Sequence, residues 1–310
     1  MTDGKNYKAI PQIRTQPQPQ PQPRRRRRRL LRRRNWLCAV LVALIVTCLS
    51  PSVVPPSPDW SAFASRQGHV IQALILTAHP DDECMFFSPT ILSLVKQDVH
   101  VRALCLSSGN ATGLGAIRSR ELISSYKVLG VNETDVAVHE HIDLQDGMRA
   151  DWQPDVIAAA LRLYIESTTL PDLIITFDSG GITQHPNHTP LSAGVRSLFK
   201  SRDEPFFSSR RPRILTLETV PKYIKFTSLL YPIYETIAFH LGWSPSTRAE
   251  GAPLLPEKPA WSVTSHAMGY WQALQAMMQH RSQVVWFRWL YVAFSKYMWS
   301  NRLVEVDLLR

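Results

Sequence analysis

The chain has 310 residues and a formal net charge of +10, enough length for one sizeable domain or two small ones. Twelve of its 35 Lys and Arg fall in residues 1–35 with Asp3 the sole acid there, so the rest carries 23 basic against 24 acidic groups. The high charge therefore belongs to the tail, and a nucleic-acid reading of the folded part has no basis in it.

Residues 1–35 are a Pro/Gln-rich and then Arg-rich tail with too little apolar content to bury a core, and disorder is expected. Residues 36–54, WLCAVLVALIVTCLSPSVV, are nearly free of charge and close to the ~20 residues a membrane crossing needs; the readings are a transmembrane anchor, a signal peptide or a surface anchor, and the first is expected. Residues 55–68 are rich in Pro and Ser and are expected to be a linker, with the folded domain occupying 69–310. In that domain strands are predicted at Gln72–Ala78, Val99–Leu106, Asp135–Val138, Asp172–Phe177 and Arg213–Glu218. Helices are predicted between them at Ser88–Gln97, Ala116–Leu129 (closed by Gly130), Pro154–Ser167 and Thr189–Lys200. This alternation predicts an α/β fold with a Rossmann-like, mostly parallel sheet flanked by helices. The aromatic stretches Tyr223–Leu241, broken by Pro232, and Gln283–Trp299 have two readings: core helices covering the sheet, or a face that meets lipid headgroups.

Ligands of open α/β sheets bind beyond the C-terminal ends of parallel strands. Two such loops carry metal-ligand residue types: Ala78–Glu83, AHPDDE, and His185–His188, HPNH. Three histidines and two adjacent aspartates suffice for a catalytic zinc, which takes three protein ligands and keeps a position for water. One aspartate can bind metal while its neighbour accepts a proton, and a histidine outside the ligand set can stabilise an oxyanion or protonate a leaving amine. Spacing alone does not assign these roles. A third loop, Ser107–Gly115, is rich in glycine and runs into a helix, so its amides, with Arg118, could hold a phosphate or sugar hydroxyls.

The blocks AHPDDE at 78–83, SSGNATGLGAIRSREL at 107–122 and TFDSGGITQHPNH at 176–188 closely resemble the N-acetylglucosaminyl-phosphatidylinositol de-N-acetylase family, related to the LmbE-like deacetylases. The C-terminal block at 280–301 is similar to its eukaryotic branch, and the resemblance spans about residues 70–305. It implies an LmbE-like fold and His79, Asp82 and His188 as ligands of Zn²⁺ or another divalent metal. It implies Asp81 as general base, His185 as oxyanion stabiliser or acid, and Arg118 and Asp146 as substrate contacts. Gln184 replaces a small residue common before the HPNH block, which bears on the pocket wall there.

The resemblance further implies hydrolysis of the N-acetyl group of a membrane glycolipid, N-acetylglucosaminyl-phosphatidylinositol, as an early step of GPI-anchor assembly at the endoplasmic reticulum. The alternatives are deacetylation of another N-acetylglucosamine conjugate, or a membrane-tethered binding module without activity. A single-pass protein is expected. The arginine run before the anchor would send the domain to the lumen. The absence of any disulfide-type cysteine spacing favours the cytosol, as does the sequon at Asn187 beside the site, and a cytosol-facing domain is the expectation.

Overall fold

The computed structural model describes residues 35, 36, 38–40, 42, 50, 52–64, 68–200, 211–243 and 259–307. The chain divides into two units, Met1–Leu44 and Ile45–Arg310; in the first, the described residues are helical. The tail 1–34 and most of the expected anchor 36–54 lie outside the described residues, and no helix among those residues is long and apolar enough to cross a membrane.

The second unit is an α/β structure around a seven-stranded sheet in the order β3-β2-β1-β4-β5-β7-β6. The strands are β1 Gln72–Thr77, β2 His100–Cys105, β3 Val136–Val138, β4 Leu173–Phe177, β5 Arg213–Leu217, β6 Ala260–Thr264 and β7 Ser300–Val306. β1 to β5 are mutually parallel. β7 runs antiparallel to both β5 and β6, so the sheet is mixed. Strands 260–264 and 300–306 were not expected. Their surroundings are aromatic runs whose pattern suits a helix as well as a buried strand, and pairing across the sheet decides between them.

The helices are α1 Ser88–Lys96, α2 Gly115–Val128, α3 Pro154–Ser167, α4 Leu191–Lys200, α5 Leu230–His240, α6 Ala267–Met277 and α7 Trp286–Phe294. Right-handed crossovers put α1 and α2 on one face, since β1, β2 and β3 advance one way, and α3 and α4 on the other, since the chain returns through β4 to β5. α6 packs against α1 and α2, and α3 against α4. Leu74, Ile75 and Leu76 of β1 are fully buried, each worth about 2 kcal/mol of apolar burial. Gly130 ends α2 at φ 91°, a conformation that strains any residue with a Cβ.

Two expectations need correction. Residues 60–63, assigned to the linker, form a 3₁₀ turn that belongs to the domain. Trp60 is fully buried and its indole N–H donates to Ser93 Oγ at 2.9 Å. Two aromatics in a Pro/Ser segment carry no periodicity, so composition hid them. The stretch Gln283–Trp299 is not a core helix throughout: α7 buries Val292 alone, while Lys296–Trp299 turns inward. Pro232 falls in the first turn of α5, where its missing N–H costs no intrahelical bond.

Candidate active site

The sheet order reverses between β1 and β4: β2 and β3 lie outward of the first, β5 outward of the second. A crevice opens beyond the C-terminal ends of these two strands, and the AHPDDE and HPNH blocks flank it. A pocket of about 530 Å³ lies there, lined among others by His79, Asp81, Asp82, His185 and His188.

Each ligand-type side chain is held by its own loop. Asp82 Oδ2 accepts the backbone N–H groups of Ala78 (3.0 Å) and His79 (2.9 Å), closing the turn after β1 and leaving Oδ1 for the crevice. That Oδ1 lies 3.2 Å from His188 Nε2. Burial alone would raise the Asp82 carboxyl, but the adjacent His188 and His79 and the backbone donor hold it far below the ordinary carboxylate range. On the opposite loop Asp178 accepts the N–H groups of Gly180 and Gly181, and Thr219 N–H at 2.7 Å, anchoring the turn after β4 to the chain beyond β5. Gly181, at φ 55°, takes His188 Nδ1 on its carbonyl at 3.2 Å, and the His188 ring stacks on Phe177 at 4.2 Å.

The hydrogen bonds fix which nitrogens are free. His188 Nδ1 donates to a carbonyl, and its buried Nε2 lies 3.2 Å from Asp82 Oδ1, a carboxylate that raises the proton affinity of the ring against the effect of burial. A cation belongs between this nitrogen and this oxygen, either the proton of an ion pair or, in its place, a metal ion. His79 Nε2 lies 3.0 Å from Asn187 Oδ1 and 3.2 Å from Asp146 Oδ1, so it is the donor and its Nδ1 keeps the lone pair. His185 Nδ1 accepts the Asn187 N–H at 3.3 Å, which puts the ring proton on Nε2. Ligand atoms of His79, His185 and His188 come within 4.8 Å of one another. The histidines are thus gathered closely enough to hold a metal ion, and Asp82 Oδ1 lies beside them against His188. His185 accepts at Nδ1 and presents its Nε2–H to the pocket. Burial and the neighbouring His188 and His79 push His185 down to about 4, so it is uncharged at neutral pH.

Asp81 sits at φ 115°, a conformation that costs a residue with a Cβ of order 1–3 kcal/mol. Glu83 Oε2 accepts the Asp81 N–H at 3.1 Å and Met85 N–H donates to the Asp81 carbonyl at 3.0 Å, which holds it there. The π-helical turn Glu83–Phe87 follows directly and leads into α1. Burial pushes the Asp81 carboxyl up, opposed by the Arg288 guanidinium of α7, with which it forms an ion pair.

Sequence reading placed Arg118 and Asp146 on the substrate, and they do line the pocket. Several of their polar atoms bond within the protein, while Arg118 Nε has no hydrogen-bond partner among the described residues. Arg118 donates to the carbonyls of Gly109 (2.6 Å) and Pro80 (3.0 Å), to Gln283 Oε1 (2.6 Å) and to Asp146 Oδ2 (3.1 Å), tying four segments together. Asp146 Oδ1 lies 3.2 Å from His79 Nε2 and so orients that ring. The glycine-rich loop is likewise self-satisfied: the N–H groups of Ser108, Gly109, Gly113 and Gly115 bond to Glu140, Ser107, and Asn110 twice. Gln184 is exposed and forms no part of the pocket wall.

Three participants had no local signal. Arg288 is 207 residues from Asp81, and His280, which donates to Glu83 Oε1 at 2.6 Å, is 197 residues from its partner. Asn187 reads as a sequon, yet it is fully buried, accepts the Gly147 N–H and donates to the Ala150 carbonyl.

Residues 74–199 match the protein family described as PIG-L, GlcNAc-PI de-N-acetylase. The chain is 37% identical over 240 residues to the N-acetylglucosaminyl-phosphatidylinositol de-N-acetylase of Bos taurus, covering 77% of this chain and 85% of that protein. It is 33% identical over 259 residues to a probable enzyme of that name from Dictyostelium discoideum, covering 76% and 93%. It is 35% identical over 244 residues to the Saccharomyces cerevisiae protein of that name, covering 73% and 79%.

Proposed function

The chain belongs to the N-acetylglucosaminyl-phosphatidylinositol de-N-acetylase family and is a deacetylase, and from that premise we propose that it hydrolyses the acetamide of N-acetylglucosaminyl-phosphatidylinositol to the free amine and acetate with the help of a bound divalent metal. The observation that supports the metal is the clustering of His79, His185 and His188 within 4.8 Å, with Asp82 Oδ1 3.2 Å from His188 Nε2. His79, Asp82 and His188 would hold the ion, Zn²⁺ by donor type. When bound, it supplies Lewis-acid polarisation of the amide carbonyl and acidifies water near neutral pH.

The remaining chemistry falls to side chains of the pocket. Asp81 takes the proton of the attacking water. Its burial raises its proton affinity, so it can hold that proton and pass it to the departing sugar nitrogen. His185, neutral and protonated on Nε2, donates a hydrogen bond to the oxygen that becomes negative in the tetrahedral intermediate. Its low proton affinity argues against a role as the acid. Asp146, Arg118, Glu83 and Asn187 position these groups. A lipid substrate of the kind named for the relatives agrees with the uncharged stretch 36–54 as a membrane anchor and with residence at the endoplasmic reticulum membrane.

The test is deacetylation of N-acetylglucosaminyl-phosphatidylinositol in membranes carrying the full chain. Asp81→Asn keeps shape and removes the base, so kcat falls by about 10²–10⁴-fold in protein that still folds. Wild-type activity confined to a soluble acetylglucosamine conjugate would overturn the substrate; retention of activity in the variant would overturn the base.

A further inference from the structure

α7 is nine residues of which Val292 alone is buried. Trp286 is 75% exposed, and Phe287, Trp289, Leu290 and Phe294 are each about half exposed. Soluble surfaces rarely gather large apolar side chains in this density. The one-turn helix Lys222–Lys225 and the residues after it lie alongside: Ser228 N–H donates to the Phe294 carbonyl at 2.8 Å. Between them Phe226, Phe287, Leu290, Tyr291 and Phe294 line an apolar hollow of about 480 Å³. Phe287 and Tyr291 also line the catalytic pocket, so polar pocket and apolar hollow share a wall.

The charges around this face have one sign. Along 221–243 and 281–299 the sole acid is Glu235, which is buried, whereas Lys222 and Arg281 are exposed. Lys225 lines the pocket beside the shared wall, its ammonium 5.5 Å from the Tyr291 ring centre, and no carboxylate pairs with it among the described residues. The end of the uncharged stretch is tied nearby in the chain's own framework: the Val53 carbonyl accepts His240 Nε2 of α5 at 2.8 Å, and α5 exposes Ile237 and Phe239.

We propose that α7 and the Lys222–Leu230 segment are a bilayer-docking face, seated in the interfacial layer of an anionic phospholipid membrane, with the hollow receiving the first carbons of the substrate's acyl chains. Aromatic and aliphatic side chains enter the headgroup boundary while the basic groups meet lipid phosphates, the behaviour of an interfacial amphipathic helix. The pocket mouth then opens at membrane level, Lys225 stands where the phosphodiester joins sugar to lipid, and the sugar reaches the catalytic groups without leaving the bilayer. The occupant of the hollow rests on the proposed lipid substrate; the docking of α7 does not.

The test uses the full chain with Cys38→Ser and Cys48→Ser, reconstituted in vesicles of phosphatidylcholine and phosphatidylinositol. An environment-sensitive fluorophore is placed on L290C or F294C, with L163C on the exposed side of α3 as control. Lipid-borne nitroxide is expected to quench the first two labels and spare the control, and aqueous iodide to do the reverse. Iodide quenching of all three alike would overturn the docking. Protection of the α7 labels from both quenchers would also overturn it, and would assign the face to a protein partner or another segment of the chain. In a parallel assay, Trp286→Glu with Trp289→Glu lowers turnover of vesicle-borne substrate by about tenfold and leaves a short-chain, water-soluble analogue unaffected. Equal loss on both substrates overturns the proposal if the labels report water. A wild type inactive on both substrates refutes the lipid deacetylase reading, while the labels still decide the docking.

Discussion

Asp81 combines two costs, a strained backbone and a buried carboxylate, and its neighbours offset both: Glu83 holds the backbone and Arg288 the charge. Such concentration of strain and perturbed ionisation marks a residue kept for chemistry. Lys225 has a similar profile. It is buried, without a carboxylate partner among the described residues, and burial together with Lys222 pushes its ammonium down to about 8. From there to the ordinary 10.5 the unfolded chain binds more protons than the folded one, so stability rises with pH across that window. Lys225→Met should therefore raise the urea midpoint at pH 7 and flatten its rise from pH 8 to 10; a midpoint unchanged at both ends would contradict this. The AHPDDE and HPNH blocks that flank the crevice were legible in sequence because each gathers its polar residues within a few positions at a strand end. Arg288, His280 and the supporting work of Arg118 and Asp146 were not, since each depends on a partner that only the folded chain brings near.

At the scale of elements, the π-helical turn Glu83–Phe87 follows Asp81 directly and is secured from afar. Asn301 of β7 donates to the Phe86 carbonyl at 2.8 Å and accepts both Thr90 N–H (3.2 Å) and Thr90 Oγ1 (2.7 Å), bridging the last strand to the start of α1. Asn301→Leu strands these buried groups and should cost about 2–4 kcal/mol in chemical denaturation, each orphaned group contributing about 1–3 kcal/mol. A loss below that range would mean that the turn repairs itself. The first five strands and four helices follow the sequence pattern closely, because each alternates apolar runs with loop residues over several turns. β6 and β7 escaped because their direction and pairing are set by their neighbours, β5 for β7 and β7 for β6, not by their own composition.

At the scale of the molecule, the reversal of strand order between β1 and β4 brings together residues separated by more than a hundred positions. Metal binding there closes two loops at once, so it should stabilise the native state as well as enable turnover. Extensive chelation is expected to abolish activity and lower the unfolding temperature, with both restored by Zn²⁺. Full activity in protein shown by elemental analysis to be free of metal would eliminate the proposed donor set.

The burial of Asn187 carries a further consequence, one of timing. Its amide is spent on the Gly147 and Ala150 backbone, with no room for an added sugar. An oligosaccharide could reach it only before the domain closes, and a chain so modified could not then complete the loop that holds His188. A sugar on this nitrogen and a closed catalytic loop are therefore mutually exclusive, so active molecules should carry Asn187 unmodified.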